Sequence, residues 1–127
     1  MIFGSFFADQ AGPDHARAAK PLGFDPEGWA RLGETGAPGM GVPVDAGGGG
    51  ASLADLVVVA EEAGANISPL PLIDHTVTAR LLAGLDAVGD DVGSGAAVAG
   101  LAVRPATDGL VRSVPTGAVA EVLVALE

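Results

Sequence analysis

The sequence predicts a mainly α fold: a helical domain over residues 1–88, then a few β-strands of an incomplete second domain over 89–127. Three observations predict it. A capped apolar helix follows a Gly/Pro-punctuated loop between Gly39 and Ala63. A Pro-marked second helix starts near Pro69–Pro71 and runs to Leu85. Beyond an Asp86–Gly95 linker, short Ala/Val/Leu runs without a helical repeat alternate with turn residues.

The elements follow in order. Ile2, Phe3, Phe6 and Phe7 lie on one side of a helix tail, an apolar patch that needs a cover. Gly12-Pro13 ends it, and Pro13 to Lys20 makes a short helix before Pro21. Asp25-Pro26-Glu27 starts a third helix with an N-cap, a first-position proline and an acid in the first turn. Trp29 and Leu32 pack inward from it, Trp29 as a core anchor, and Gly33 and Gly36 help to stop it. The loop from Gly39 to Gly50 is expected to be non-helical, since Pro43 lacks an amide donor and four glycines follow at 47–50. Ser52 then caps the next helix, with Asp55 in the capping-box position at the positive end of the helix dipole. Leu53, Leu56, Val57 and Ala60 form its apolar stripe, and Val58 and Val59 add a second apolar side. The following helix carries Leu72, Ile73, Val77, Leu81 and Leu82. Strands are expected at Ala97–Val103 and Ala120–Leu126, with Leu110–Val114 a further one.

Composition narrows the function. A chain of 127 residues suits one domain of ordinary size or a piece of something larger, and 49% hydrophobic residues suffice for a core. Sixteen acidic against six basic residues, a net charge of −10, argue against nucleic acid as a partner, because phosphate binders concentrate Lys and Arg. The absence of cysteine excludes disulfides, thiolate catalysis and Cys-based zinc sites. The apolar start lacks a basic n-region and meets Asp9 at once, so it does not read as a signal peptide. No apolar run reaches the ~20 residues that span a bilayer. A soluble cytoplasmic protein is the expectation. Glu61 and Glu62 are acid/base candidates by type, but surface carboxylates are common and the structural reading is favoured. Asp74 and His75 are adjacent and a catalytic dyad is conceivable in principle, but helix neighbours point about 100° apart and do not face each other, so a satisfied helix-surface or pocket histidine is the favoured reading. No metal ligand set and no catalytic residue is assigned.

The succession of features resembles the N-terminal helical domain of the acyl-CoA dehydrogenase family. That family runs from a Trp-containing helix through a Gly-rich turn with Val-Pro to a helix ending in Glu-Glu-x-Gly. The matching residues are Trp29, Ala37-Pro38-Gly39-Met40-Gly41-Val42-Pro43, Gly47 to Gly50, and Glu61-Glu62-Ala63-Gly64. Ser68-Pro69-Leu70-Pro71-Leu72 and the helix ending Leu81-Leu82-Ala83-Gly84 continue it. The likeness is ordered from Phe24 to Leu85 and looser on to Glu127, where the strand-forming runs resemble the opening of the family's middle β-barrel domain.

The resemblance implies a flavoenzyme that oxidises the α–β carbon bond of an acyl-CoA thioester, with FAD carrying the redox chemistry. It implies that the helix after Ser68 lines the acyl-chain pocket, with Ser68, Leu70, Pro71 and His75 facing substrate. It places Val103, Pro105 and Thr107 in the segment that contacts flavin, where the family has Leu-Thr-Glu-Pro and a small-residue loop. Here Val103 replaces the threonine, Arg104 reverses the glutamate's charge, and Thr116-Gly117-Ala118 arrives early, which puts a normal flavin cradle in doubt. The family's catalytic glutamate belongs to a C-terminal helical domain without counterpart here, and a truncated chain or one piece of a longer polypeptide is expected. The expected setting is a homo- or hetero-oligomer. The chain is then the front of a working dehydrogenase, or a non-catalytic structural subunit whose partner holds FAD. A third reading is an unrelated helical binding module in which the Gly-Val-Pro loop is only a connector.

Overall fold

The computed structural model describes residues 2–127; Met1 and the Ile2 side chain, which the sequence places on the apolar side of the first helix, lie outside the described residues. Six helices precede two short strands: α1 Ile2–Gln10, α2 Pro13–Ala18, α3 Pro26–Glu34, α4 Leu53–Ala65, α5 Leu72–Gly84, α6 Asp90–Ser94, β1 Ala99–Leu101 and β2 Val122–Val124. The mainly α fold expected from the sequence is the fold observed, with only the start of a sheet.

The caps work as their residue types dictate. The Asp25 carboxylate accepts from Gly28 N at 3.0 Å and satisfies one of the free amides at the start of α3. At α4, Ser52 Oγ accepts from Asp55 N at 3.2 Å while the Asp55 carboxylate accepts from Ser52 N at 2.8 Å, a complete capping box. Between them the loop is more regular than proline and glycine content implies. Single 3-10 turns occupy Ala37–Gly39 and Val44–Ala46. A one-turn helix needs few amide donors, so Pro38 and Pro43 at its start cost nothing. The loop then doubles back on itself through Gly49 N to Gly39 O, Gly50 N to Val42 O and Ala51 N to Met40 O. Arg80 of α5 clamps it, donating from Nη1 to the carbonyls of Gly41 and Ala51.

One core cluster joins α1, α3, α4 and the α4–α5 junction through Phe6, Phe7, Trp29, Leu32, Val59 and Leu70. A second holds α5, α6 and β1 together through Val42, Ala79, Val92, Ala97 and Ala99. The Phe patch of α1 thus finds its cover on α4. Full burial of a side chain such as Phe7 or Leu32 contributes about 1.5–3 kcal/mol.

Four expectations are corrected. The core side of α4 is Leu56, Val59 and Ala63, whereas Leu53 and Val57 of the expected stripe are exposed. Because α4 is apolar nearly all round, its periodicity could not choose a side; the phenylalanines of α1 choose it. On α5 the large residues Ile73, Val77 and Leu81 are exposed, and the buried face is small and polar, with His75, Thr76, Thr78 and Ala79. That face meets β1, whose backbone approaches closely, and both threonine hydroxyls are satisfied by carbonyls one turn back, Leu72 O and Asp74 O. Residues 86–95 are not a plain linker: α6 lies within them and buries Val92. Leu110–Val114 is not a strand; Leu110 closes a tight turn with Thr107, and Asp108-Gly109 dominates that stretch. The remaining strands pair in parallel, Ala99 with Val122 and Leu101 with Val124, so β1 covers one edge of the apolar run at Val122–Val124.

Candidate functional site

The α4–α5 junction is built by chain reversal under proline control. After α4, Ile67 adopts a left-handed φ of 54°, and Ser68 N donates back to Ala63 O at 3.0 Å. Pro69 O accepts from Asp25 N, which ties the junction to the cap of α3. Two clefts of about 340 Å³ and 210 Å³ open on either side of this corner. Ser68, Leu70, Pro71 and Asp74 line both, with Ile67 and Ile73 on one side and Phe24 and Thr116 on the other.

The chemistry of the corner is mixed. Leu70 and Pro71 are apolar, while Ser68 Oγ and Thr116 Oγ1 are buried with no hydrogen-bond partner among the described residues. Burial raises the Asp74 carboxyl above its ordinary value. Sequence reasoning weighed Asp74 only as a neighbour of His75 and did not single out Thr116. A threonine after Pro115 carries no local signal that the chain will fold back onto Ser68.

Three of the four residues expected to face substrate, Ser68, Leu70 and Pro71, therefore share one corner. His75 does not join them. It is fully buried, with Nδ1 accepting from Ala99 N at 3.0 Å and Nε2 donating to Val92 O at 3.0 Å. An amide can only donate, so Nδ1 carries no proton and the neutral Nε2–H tautomer is the one that fits. Trp29 meets the ring edge-on with centroids 5.0 Å apart, and its Nε1 donates to Gly95 O at 2.8 Å. Burial lowers the His75 pKa, and the bond to Val92 O offsets part of that. A further apolar cleft of about 470 Å³ lies outside Trp29, lined also by Phe24, Val98 and Val119.

The residues expected to contact flavin lie apart from this corner. Val103 is 72% exposed, and Pro105 and Thr107 are exposed too. Thr107 and Leu110 exchange both backbone hydrogen bonds at 3.0 Å, and Ala106 N donates to Leu126 O at 2.8 Å. Those amides are committed within the chain, and Val103 offers no hydroxyl. Ala106, Thr107 and Leu110 thus form a turn whose amides bond within the chain, and the hydroxyl that the family's threonine would offer a flavin is missing at Val103. Glu61 is exposed, and Glu62 lies over Gly4 of α1. Among the described residues no cluster of three His, Asp or Glu side chains is placed to hold a metal, and no helix is long and apolar enough to cross a membrane.

Comparison with known proteins agrees with the helical architecture. Residues 3–91 match the family model of the acyl-CoA dehydrogenase N-terminal domain. The chain is 33% identical over 122 residues to acyl-CoA dehydrogenase IpdE2 of Mycolicibacterium smegmatis, covering 92% of this chain and 37% of that protein. It is 38% identical over 76 residues to acyl-CoA dehydrogenase IpdE2 of Mycobacterium tuberculosis, covering 58% of this chain and 24% of that one. No solved structure matches the chain. The family match over the helical body and the similarity carried past it to the strands show that this chain belongs to the acyl-CoA dehydrogenase family.

Proposed function

We propose that the chain forms one wall of the acyl pocket in a flavin-dependent acyl-CoA dehydrogenase that carries out α,β-dehydrogenation of an acyl-CoA thioester. The observation that carries this reading is the corner at Ser68, Leu70 and Pro71, which lines two clefts and holds a buried, unpartnered hydroxyl among its apolar surface. Acyl pockets need apolar walls with a few placed polar groups, and a corner between two rigid helices holds such a wall still. The catalytic base comes from outside these residues, since Glu62 is turned onto α1 and Glu61 stands in solvent. The chain spans little more than a third of the Mycolicibacterium smegmatis relative, which leaves room for base and flavin on the rest of such a protein or on a partner.

A second reading has its own observation. The committed amides of Ala106, Thr107 and Leu110, with Val103 and Arg104 exposed beside them, favour a subunit or fragment that does not itself bind FAD and serves a flavin-loaded homologue in a hetero-oligomer.

The test is an anaerobic titration of the native assembly with acyl-CoA, followed by visible absorption. Bleaching of flavin bands is expected, and Ser68→Phe, which fills the corner, is expected to raise KM about tenfold or more with kcat less affected. A flavin-free assembly, or a Ser68→Phe enzyme with unchanged KM, overturns the proposal. Flavin on a partner polypeptide selects the second reading over the first.

A further inference from the structure

The buried histidine is not explained by an acyl pocket wall. His75 sits on α5 with each ring nitrogen bonded to the backbone of a different element: Nε2 to Val92 O of α6, Nδ1 to Ala99 N of β1. Trp29 of α3 closes the ring's edge and is itself bonded to Gly95 O, in the turn that links those two elements. No other side chain of α5 makes a hydrogen bond to α6 or β1 among the described residues; Thr76 and Thr78 bond within their own helix.

We propose that neutral His75 is a latch that holds the α6–β1 segment on the helical body, and that acid releases the segment by placing a proton on Nδ1. The proton and the Ala99 amide cannot both occupy the line between Nδ1 and Ala99 N. Charging the ring therefore breaks the bond to β1 and leaves a cation beside a buried amide donor. Among the described residues no charged side chain bonds to the ring. Among the charged groups of the surrounding elements, Asp91 of α6 is engaged by Val92 N, and Glu121 beside β2 accepts from Val98 N. Arg80 of α5 is held by the loop carbonyls, and Arg31 of α3 pairs with Asp25. Asp74, Asp90, Glu27 and Glu34 sit on the same elements and make no bond to the ring among the described residues. This reading rests on the hydrogen-bond geometry and is independent of the acyl pocket.

The sign follows from where the proton binds. The unfolded histidine takes its proton near 6.5, and burial lowers that value in the fold, so between the two the unfolded chain binds more protons. The latch is whole above about 6.5 and is lost as pH falls toward the folded value. Asp74, raised from 3.8 by burial, has the opposite sign: its contribution is present at low pH and is lost as pH rises.

The test is amide hydrogen exchange of the full chain between pH 7.5 and 5, corrected for intrinsic rates, with fluorescence of the single Trp29 as a second readout. Protection of the Ala99 amide is expected to fall by up to about tenfold per pH unit once the window below ~6.5 is entered. His75→Gln removes that dependence, and His15→Gln, at the chain's other histidine, keeps it. Where His75→Gln does not fold, the imidazole nitrogen-15 spectrum of the wild type decides. A neutral Nε2–H tautomer at pH 7.5 that charges as Ala99 loses protection supports the latch. An Nδ1–H tautomer, a ring already charged at pH 7.5, or Ala99 protection that is flat down to pH 5 overturns it.

Discussion

At Gly39 the loop before α4 passes so close to α6 that a Cβ would fall onto the Gly93 carbonyl oxygen. The contact is backbone against backbone, so nothing flexible can give way. Gly39→Ala is expected to lower stability by about 1–3 kcal/mol, read as a shift in the urea midpoint at constant slope. Gly64 on α4 is the control, since a Cβ there meets nothing within 4 Å, and Gly64→Ala is expected to be neutral or stabilising by up to ~1 kcal/mol through helix propensity. Trp29 was legible as an anchor from type and position alone, and it is 5% exposed. His75 was not, because adjacency to Asp74 says nothing about α6 and β1, which arrive seventeen and twenty-four residues later.

Among the elements, the helices that carry their own start signals were legible, and those placed by tertiary packing were less so. Ser52 and Asp55 announce α4 by chemistry that acts within four residues, and the capping box is present. Ser52→Ala is expected to cost about 1 kcal/mol of stability. Asp55 is held below its ordinary carboxylate value first by the Ser52 side-chain bond and then by the Ser52 amide, so its contribution is lost as pH falls below 3.8. The end of α4 is less favourable. Ile67 takes a left-handed φ of 54° that suits Gly or Asn far better than a β-branched residue. Ile67→Asn is expected to stabilise the chain by about 1 kcal/mol, measured by thermal or urea unfolding. Ile67 also lines the cleft beside Ser68. The expectation of a third strand at Leu110–Val114 failed because Asp108-Gly109 turn chemistry outweighs β propensity where, among the described residues, no neighbouring strand pairs with it.

For the molecule as a whole, the apolar surface exceeds what the fold itself uses. Leu53, Val57, Val77, Leu81 and Leu85 lie 39–63% exposed on α4, α5 and the residue that ends α5. Leu53→Gln and Leu85→Gln are expected to change the chain's own stability by less than about 0.5 kcal/mol, since each is already 61–63% exposed. The same surface explains why the order of elements could be read but the facing of α4 and α5 could not. Periodicity could not set either facing: α4 is apolar nearly all round, and α5 carries its large apolar residues Ile73, Val77 and Leu81 on the exposed side while its buried side holds His75, Thr76 and Thr78. The candidate corner was legible through Ser68, Leu70 and Pro71, because prolines mark the junction in the sequence. Thr116 reached it only through the return of the chain to Val98 and Gly100, a long-range contact without local signature. The account's central claim is that this corner walls the acyl pocket. A photoreactive acyl-CoA, crosslinked to the native assembly and mapped by peptide mass, tests it most directly. The account predicts label on the segment from Ile67 to Asp74, competed away by unlabelled acyl-CoA. Label confined to other parts of this chain, or absent from it while the assembly turns the substrate over, contradicts it.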